Sequence, residues 1–328
     1  NGEKMFIEEV LRQQNNVPVQ GTFLILDIKL KPFTEKQGHF LTCNLGDKTG
    51  IVWAKIWDNA ESLAQQLKDI TVVTIQGRTN IYNGKMQVII EKIKQADSYD
   101  LSDLIKVSSR NPDEMWTELT TLLETNFTNY DYKMIWEAFR TDSNFVTKFK
   151  MWPGGKGTVH HAYQHGLLEH SLSVVKIIKL FQTHLPLPFD FDKALLGGTL
   201  HDIGKLDAYT YDNIKIDMTN IGRLHEHTVL SYFAFRKTVE TLGLTNNAIT
   251  EDVGHIILSH HGSKEQHAII KPMTIEAKLV AAADYLDADT NYMMQQLEHN
   301  ANEQGWIFDT LSEQFFFKRP SMKRRKIS

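Results

Sequence analysis

Residues 18–97 contain short apolar stretches that alternate with polar positions, which is the pattern of β-strands. The stretches are VQGTFLILDIKLKPF, GHFLTCNLGDKTG, IVWAKIWD, TVVTIQGRTNIY and KMQVIIEKIKQA. Asn83-Gly84 between the last two indicates a tight hairpin turn. The segment NAESLAQQLKD, which opens on Asn59, has helical spacing and lies between the third and fourth strands. This order predicts an OB-fold barrel; an SH3-like barrel is the alternative, and the intervening helix favours the OB-fold.

The remainder of the chain has helical periodicity. Pro112 fits the first position of a helix, and from about residue 150 to 300 the pattern is interrupted only at WPGGKG, LPLPF and KPM. We predict a multidomain α+β protein in which an all-α domain follows the barrel. The predicted divisions are an N-terminal segment (1–17), the barrel (18–97), a helical linker region (98–150), the all-α domain (151–300) and a C-terminal segment with a basic tail (301–328).

Composition limits the classes of protein to consider. The 328 residues are 41% hydrophobic and 23% charged, as is usual for a soluble globular protein. We find no apolar run near the ~20 residues that span a bilayer and no signal-peptide pattern at the start. The single cysteine, Cys43, suits a reducing compartment, so we expect a cytoplasmic protein without a membrane partner. The net charge of −4 means that any nucleic-acid contact must be local.

Histidines and aspartates occupy positions where the helical region should have core residues. Twelve of the fourteen histidines lie between residues 160 and 267. In LLGGTLHDIGKLDAY, the pair His201-Asp202 stands among small and apolar residues, where an ionised carboxylate is costly unless it is paired. His170, the pair His260-His261 and Asp284 also lie on the apolar faces of predicted helices.

A bound divalent cation would remove the cost of burying all these groups together. One inward-facing histidine is more often a satisfied core residue, but four such positions on separate helices favour a metal site. The set contains no cysteine, which argues against structural zinc. Mixed nitrogen and oxygen ligands suit Mn²⁺ best in our prediction, with Mg²⁺ or Fe²⁺ as alternatives, and with one or two ions per chain.

His170, the pair His201-Asp202 and Asp284 resemble, in order and spacing, the H…HD…D signature of HD-domain metal-dependent phosphohydrolases. The surroundings HDIGK and AADYLDA are similar to those of that family. The resemblance implies one metal held by these four residues. HEHTVLSY and SHHG look like the additional histidines of dinuclear members, which implies a second metal held by the set His227, His260 and His261, with Asp202 bridging and His225 as the alternative to His227.

The order of a barrel and then an HD domain resembles the YhaM-type 3′-5′ exoribonucleases. This resemblance implies hydrolysis of single-stranded RNA, and of DNA as a further candidate, to nucleoside monophosphates. Lys205 follows the metal pair and is expected to be catalytic, by neutralising a phosphate oxygen or protonating the leaving group; a solvated lysine is the alternative. His165 stands where a small residue is expected in that group, and it either points into the cleft or is exposed.

Two other functions remain open from the sequence. One is an HD-type phosphohydrolase of nucleotides or cyclic dinucleotides, with a regulatory barrel. The other is a nucleic-acid-binding replication or regulatory factor, against which the complete ligand set argues. The sequence also leaves open whether the chain forms a homo-oligomer.

The alternation of the second and third strands predicts which side chains leave the barrel. Val52, Ala54 and Ile56 should face inward with Leu41, Cys43 and Leu45, whereas Phe40, Thr42, Trp53, Lys55 and Trp57 should face outward. Outward aromatic rings beside lysine form a platform on which bases stack. We expect Arg78, Tyr82 and Lys85 to extend this nucleic-acid-binding face. The alternative is that Trp53 or Trp57 packs against the neighbouring domain.

Overall fold

The computed structural model describes most of the chain, and its residues form two compact units. The described ranges are 5–34, 37–155, 160–212, 214–244, 248–263, 268–299, 305–309 and 312–319. The first unit ends at Lys106 and the second begins at Val107. The predicted basic tail lies mostly beyond residue 319 and so falls outside the described residues.

The first unit is a closed five-stranded barrel. Its strands are β1 (Pro18–Pro32), β2 (His39–Asp47), β3 (Gly50–Ile56), β4 (Val72–Tyr82) and β5 (Lys85–Gln95), and its helices are α1 (Ile7–Leu11), α2 (Ala60–Gln66) and α3 (Leu101–Leu104). The order around the barrel is β1-β2-β3-β5-β4, and β3 runs parallel to β5. The predicted OB-fold is confirmed, and so is the helix between the third and fourth strands.

Strand alternation fills the barrel as the sequence predicts, with one exception. Leu41, Cys43 and Leu45 of β2, and Val52, Ala54 and Ile56 of β3, are buried. Thr42 was expected outside, but it is buried and its hydroxyl lies 3.5 Å from the carbonyl oxygen of Lys29. Thr42 pairs with Lys29 of β1 and with Lys55 of β3, so two long side chains flank this short one on the same face of the sheet.

Segments on both sides of the predicted barrel pack against it. Ile7 and Val10 of α1 are completely buried in the barrel core. Beyond residue 97, Asp103 in α3 accepts a hydrogen bond of 2.8 Å from Lys48 at the end of β2. Asn59 precedes α2 as expected, but its backbone is left-handed and its side chain does not cap the helix.

The second unit is a bundle of helices around one core. The helices are α4 (Pro112–Asn126), α5 (Tyr130–Arg140), α6 (Ser143–Met151), α7 (Gly166–His184), α8 (Phe191–Leu200), α9 (Lys205–Ala208), α10 (Asn220–Thr241), α11 (Ala248–Ser259) and α12 (Ile275–His299). Met115 in α4, Trp136 in α5 and Phe149 in α6 belong to the same hydrophobic core as Val174 in α7. The helices of the predicted linker region therefore share their core with those that follow.

Two short hairpins were not predicted from the sequence. They pair β6 (Tyr209–Tyr211) with β7 (Ile216–Met218), and β8 (Gly305–Asp309) with β9 (Gln314–Lys318). Strands of three and five residues carry too few alternations to be told from loops by periodicity. The helical HD domain is confirmed, with β6–β7 as a short hairpin inside it, and β8–β9 lies in the predicted C-terminal segment.

Candidate metal centre and nucleic-acid face

Histidine and aspartate side chains from five chain segments meet inside the second unit. The segments are α7, the turn after α8, α10, the end of α11, and α12. The turn after α8 packs very closely on α10, because a Cβ on Gly204 would lie 2.1 Å from the carbonyl oxygen of His227. The amide of Gly204 also donates to Ser231 at 2.8 Å. A glycine is required here, and it brings Asp202 beside His227.

Asp202 lies between two groups of histidines, and its two carboxylate oxygens face opposite groups. Oδ2 is 3.5 Å from Nε2 of His170 and 3.4 Å from Nε2 of His201. Oδ1 is 3.3 Å from Nε2 of His227 and 3.6 Å from Nε2 of His260. A carboxylate in this position can give one oxygen to each of two cations.

The first group is completed by Asp284 of α12. Its Oδ1 is 3.1 Å from Nε2 of His170 and 3.9 Å from Nε2 of His201, and these two nitrogens are 3.1 Å apart. His170 and His201 are completely buried. The second group is more open, because His227 and His261, whose Nε2 atoms are 3.1 Å apart, are only partly buried.

Hydrogen bonds on the outer side of the rings orient two imidazoles toward the centre. Nδ1 of His201 is 2.8 Å from the carbonyl oxygen of Gly198, and Nδ1 of His260 is 2.7 Å from that of Ile257. Because a carbonyl only accepts, each Nδ1 donates, and the neutral ring then directs the lone pair of Nε2 inward. Metal-ligating histidines characteristically have such a partner on the second nitrogen.

The electrostatics of the centre also suit a cation. Burial opposes ionisation of Asp202, but the charge of Lys205 outweighs it, and the pKa of the carboxyl lies well below its usual range. Burial lowers the pKa of His260, and the neighbouring His201 and His261 lower it further. Burial alone would lower the pKa of His170, yet its bonds to Asp284 and Asp287 raise it to about 10. Asp284 and Asp287 thus favour positive charge at Nε2 of His170. Imidazole nitrogens and carboxylate oxygens in such surroundings fit a divalent metal ion.

The structure brings together all the metal-ligand candidates from the sequence. His227 lies at the centre, whereas His225 is exposed and contacts the ring of Phe233. His165 does not reach the cleft; its Nδ1 lies 2.6 Å from the carbonyl oxygen of Lys150. Lys205 is buried, and its ammonium group contacts Oδ2 of Asp202 at 2.6 Å and the carbonyl oxygen of Gly154 at 2.5 Å.

A chain of residues that the sequence analysis missed supports His170 from behind. Oδ2 of Asp287 is 2.7 Å from Nδ1 of His170 and 2.8 Å from Nε2 of His161. Nδ1 of His161 is in turn 2.8 Å from the hydroxyl of Tyr163. The position of Asp287 one turn after Asp284 was the available signal. His160 also lies here, 5.3 Å from His170 between ring centres, and burial and the charge of Lys205 lower its pKa to about 3.

We expect Asp287→Asn to weaken metal binding without unfolding the protein. The amide would still contact His170 but would no longer fix its tautomer by charge, and loss of such an outer partner typically costs about 10–100-fold in metal affinity. Titration of the metal-free protein with Mn²⁺, followed by calorimetry, measures the change. Asp289→Asn, on an exposed position of the same helix, is the matched control, and equal affinities in both variants would contradict the positioning role.

The outer face of the barrel gathers aromatic rings around one lysine. Nζ of Lys55 lies 4.7 Å from the ring centre of Trp53, 5.2 Å from that of Trp57 and 5.0 Å from that of Tyr82. Trp53 and Trp57 are each 39% exposed. Such contacts hold the ammonium group over the rings, so one surface offers both ring faces and a cation.

Two further rings extend this face, and one predicted cation is paired with an acidic side chain. Phe40 is 5.1 Å from Trp57 between ring centres, and Phe33, which the sequence analysis missed, stacks on Trp57 at 6.1 Å. Lys85 pairs with Tyr82 across the hairpin. Arg78 lies four residues before Tyr82, and its Nε is 3.3 Å from Glu91 instead.

Known protein families match both the barrel and the helical domain. The OB-fold nucleic acid binding domain family matches residues 25–96, and the HD domain family matches residues 167–289. A protein named 3′-5′ exoribonuclease YhaM from Geobacillus sp. (strain WCH70) is 27% identical over 279 residues, which cover 84% of each chain. The protein of that name from Bacillus subtilis (strain 168) is 26% identical over 284 residues, 84% of this chain and 87% of that one.

Over 84% of its length, this chain is similar to proteins named YhaM. The predicted resemblance is therefore confirmed, as is the order of an OB-fold followed by an HD domain. Among solved structures, the second OB-fold domain of replication protein A from Methanococcus maripaludis aligns with a TM-score of 0.24 and 13% identity, over 30% of this chain and 98% of that one. A likeness at this score supports no argument. Within the described ranges, no helix combines the length and the apolar character needed to cross a bilayer.

Proposed function

We propose that this protein is a metal-dependent 3′-5′ exonuclease that hydrolyses single-stranded RNA, and single-stranded DNA as a second substrate, to nucleoside monophosphates. The observation that carries the proposal is the position of Asp202, whose two oxygens face two histidine groups in an HD domain. The names of the homologues support the polarity and the RNA substrate. The barrel face supports a single strand over a small nucleotide, because several ring faces lie together on it.

The proposed ligands divide between two positions. His170, His201, Asp284 and Oδ2 of Asp202 would hold one divalent ion, and Oδ1 of Asp202 with His227, His260 and His261 would hold the other. When bound, such ions supply the Lewis acidity that stabilises both the attacking and the leaving oxygen of an in-line displacement at phosphorus. Nitrogen and carboxylate donors without thiolate favour Mn²⁺, with Mg²⁺ or Fe²⁺ as alternatives.

Lys205 is proposed to act mainly through its charge. Burial opposes protonation of Lys205, but Asp202 outweighs it and raises the pKa of the ammonium group. A group with a raised pKa is a poor proton donor near neutral pH, so we favour neutralisation of charge over protonation of the leaving group. Two of its contacts go to Asp202 and Gly154, which fixes the carboxylate in the position between the two histidine groups.

We place the protein in the cytoplasm as part of the proposal. Cys43 is the only cysteine and is buried, and burial with the nearby Asp27 raises the pKa of its thiol to about 12. A thiol that stays protonated resists oxidation, and a chain without disulfides suits the reducing cytoplasm. RNA substrates are found there.

A comparison of substrates tests the proposed function. The chelated protein is reloaded separately with Mn²⁺, Mg²⁺ and Fe²⁺ and given a single-stranded 20-mer, its duplex, and a cyclic dinucleotide. We expect shortening of the single strand from the 3′ end, measured with labels at the 5′ end, and release of monophosphates. Preferred cleavage of the cyclic dinucleotide would identify a small-nucleotide phosphohydrolase instead, and binding without cleavage in any metal would identify a binding factor.

The barrel face makes a separate prediction. Trp53→Ala should reduce kcat/KM on the 20-mer by about fivefold or more, since each stacked base contributes about 1–3 kcal/mol, and should leave hydrolysis of a dinucleotide unchanged. Lys55→Ala should act in the same direction, with a loss that shrinks as salt rises. Tyr99→Ala, an exposed aromatic position elsewhere in this unit, is the control. Equal losses on both substrates, together with a lower melting temperature, would show that Trp53 is structural.

A further inference from the structure

The hairpin formed by β8 and β9 has two chemically different faces. Ile307 and Phe316 pair across the strands, are buried, and point toward α12, where the ring of Tyr292 is 6.3 Å from that of Phe316. The pairs on the opposite face are Trp306 with Phe317 and Phe308 with Phe315. All four of these aromatic residues are exposed.

The exposed face forms one continuous aromatic surface. The exposed fractions are 70% for Trp306, 64% for Phe315, 51% for Phe308 and 40% for Phe317. Ring centres are 4.9 Å apart for Trp306 and Phe317 and 4.8 Å apart for Phe308 and Phe315. Four large rings side by side in contact with water are unusual on a protein surface and mark a binding site.

The hairpin is attached to the helix that carries a proposed metal ligand. The hydroxyl of Tyr292 in α12 donates to Asp309 at 2.7 Å, and Nζ of Lys318 donates to the carbonyl oxygen of Leu297 at 2.7 Å. Tyr292 follows Asp284 by eight residues, a distance of about 12 Å along a helix. The helix that supports the aromatic surface thus also carries Asp284, one of the proposed metal ligands.

Charge indicates which partner this surface fits. Two basic residues, Lys318 and Arg319, stand at the end of β9 directly after its aromatic residues. The guanidinium carbon of Arg319 lies 5.8 Å from the ring centre of Phe317. Rings that stack bases beside cations that meet phosphates are the two components of a single-strand site.

We propose that the aromatic face of this hairpin binds single-stranded nucleic acid by base stacking, as a second contact in addition to the barrel face. The inference rests on the proposed function, because the bound strand is the substrate of the metal centre. The contact is sequence-tolerant, since every base has a ring face to stack. It assigns the strand a site on the HD-domain unit itself.

The experiment uses the full chain with Trp306→Ala and Phe315→Ala together. Both side chains are mainly exposed, so the melting temperature should stay unchanged. We expect the Kd of a labelled single-stranded 20-mer, measured by fluorescence anisotropy in EDTA, to rise about fivefold or more for each base that no longer stacks. Hydrolysis of a dinucleotide by the metal-loaded variant should equal that of the unchanged protein. Tyr130→Ala, which removes a 71% exposed aromatic residue from the same unit, is the control.

Other results of this experiment would contradict the proposal or assign the aromatic face a different role. An unchanged Kd would overturn the proposal. If the double variant instead changed the sedimentation coefficient with an unchanged Kd, the face would be an interface between copies of this chain. A failure of the unchanged protein to bind or degrade the 20-mer would refute the proposed function itself, which is a distinguishable outcome.

Discussion

Asp202→Asn should reduce hydrolysis of single-stranded RNA about a thousandfold or more and should lower the bound metal. The carboxylate lies within 3.6 Å of histidine nitrogens from both groups. An amide is nearly the same size but offers one oxygen and no charge, so it cannot serve both positions. Rate assays with elemental analysis of the purified variant measure the two effects together.

The control for Asp202→Asn is Asp207→Asn. Asp207 lies five residues later in α9, is exposed, and belongs to neither of the two groups of candidate ligands. We expect this variant to keep both its activity and its metal. A fully active Asp202→Asn protein would contradict the use of this centre in hydrolysis, even if the centre still bound metal.

Replacement of His227 and His261 by Ala should remove one metal ion of two and most of the activity. Their Nε2 atoms are 3.1 Å apart, and both rings are more accessible than His170 and His201. The substitution therefore takes two ligands from the second position and leaves His170, His201 and Asp284 intact. His260 is a less selective choice, because it lies close both to His201 with Asp202 and to His227 with His261.

His225→Ala is the matched control for that double substitution. It removes an exposed imidazole two residues from His227, so metal content and activity should be unchanged. Elemental analysis gives the number of ions per chain. Two ions in the double variant would place the second position elsewhere. A loss of metal in His225→Ala would show that α10 contributes His225 to this position.

The fold was largely predictable because alternation and helical spacing are local properties. The barrel is the clearest example: inward Val52, Ala54 and Ile56 follow directly from a period of two. Most of the centre was predictable as a set of residues, because a histidine or aspartate on an apolar face contradicts its surroundings. His227 was the exception, since only the family resemblance implied it. How Asp202 divides its two oxygens was not predictable, because that depends on the approach of the turn after α8 to α10 at Gly204.

Other features depended on backbone detail that residue spacing does not contain. His225 and His227 could not be separated by a helical wheel, because α10 has a non-helical residue between them: Glu226 has φ 63° and ψ 152°. In the sequence, Asp287 is one more polar position on α12. Only the structure shows its carboxylate beside His161 and His170. The sequence analysis missed the β8–β9 hairpin because three successive phenylalanines, Phe315 to Phe317, show no alternation of apolar and polar positions. Only the pairing with β8 shows which of them face outward.

The convergence of distant segments also ties the stability of this domain to the supply of metal. His170 and Asp284 are 114 residues apart, and ions held between them would act as cross-links that the unfolded chain lacks. Binding only to the folded state adds RT ln(1 + [L]/Kd), about 4 kcal/mol at a free concentration one thousand times Kd. A cell short of the metal would then lose folded enzyme as well as catalysis, so degradation of the apoprotein would lower the amount of nuclease during starvation.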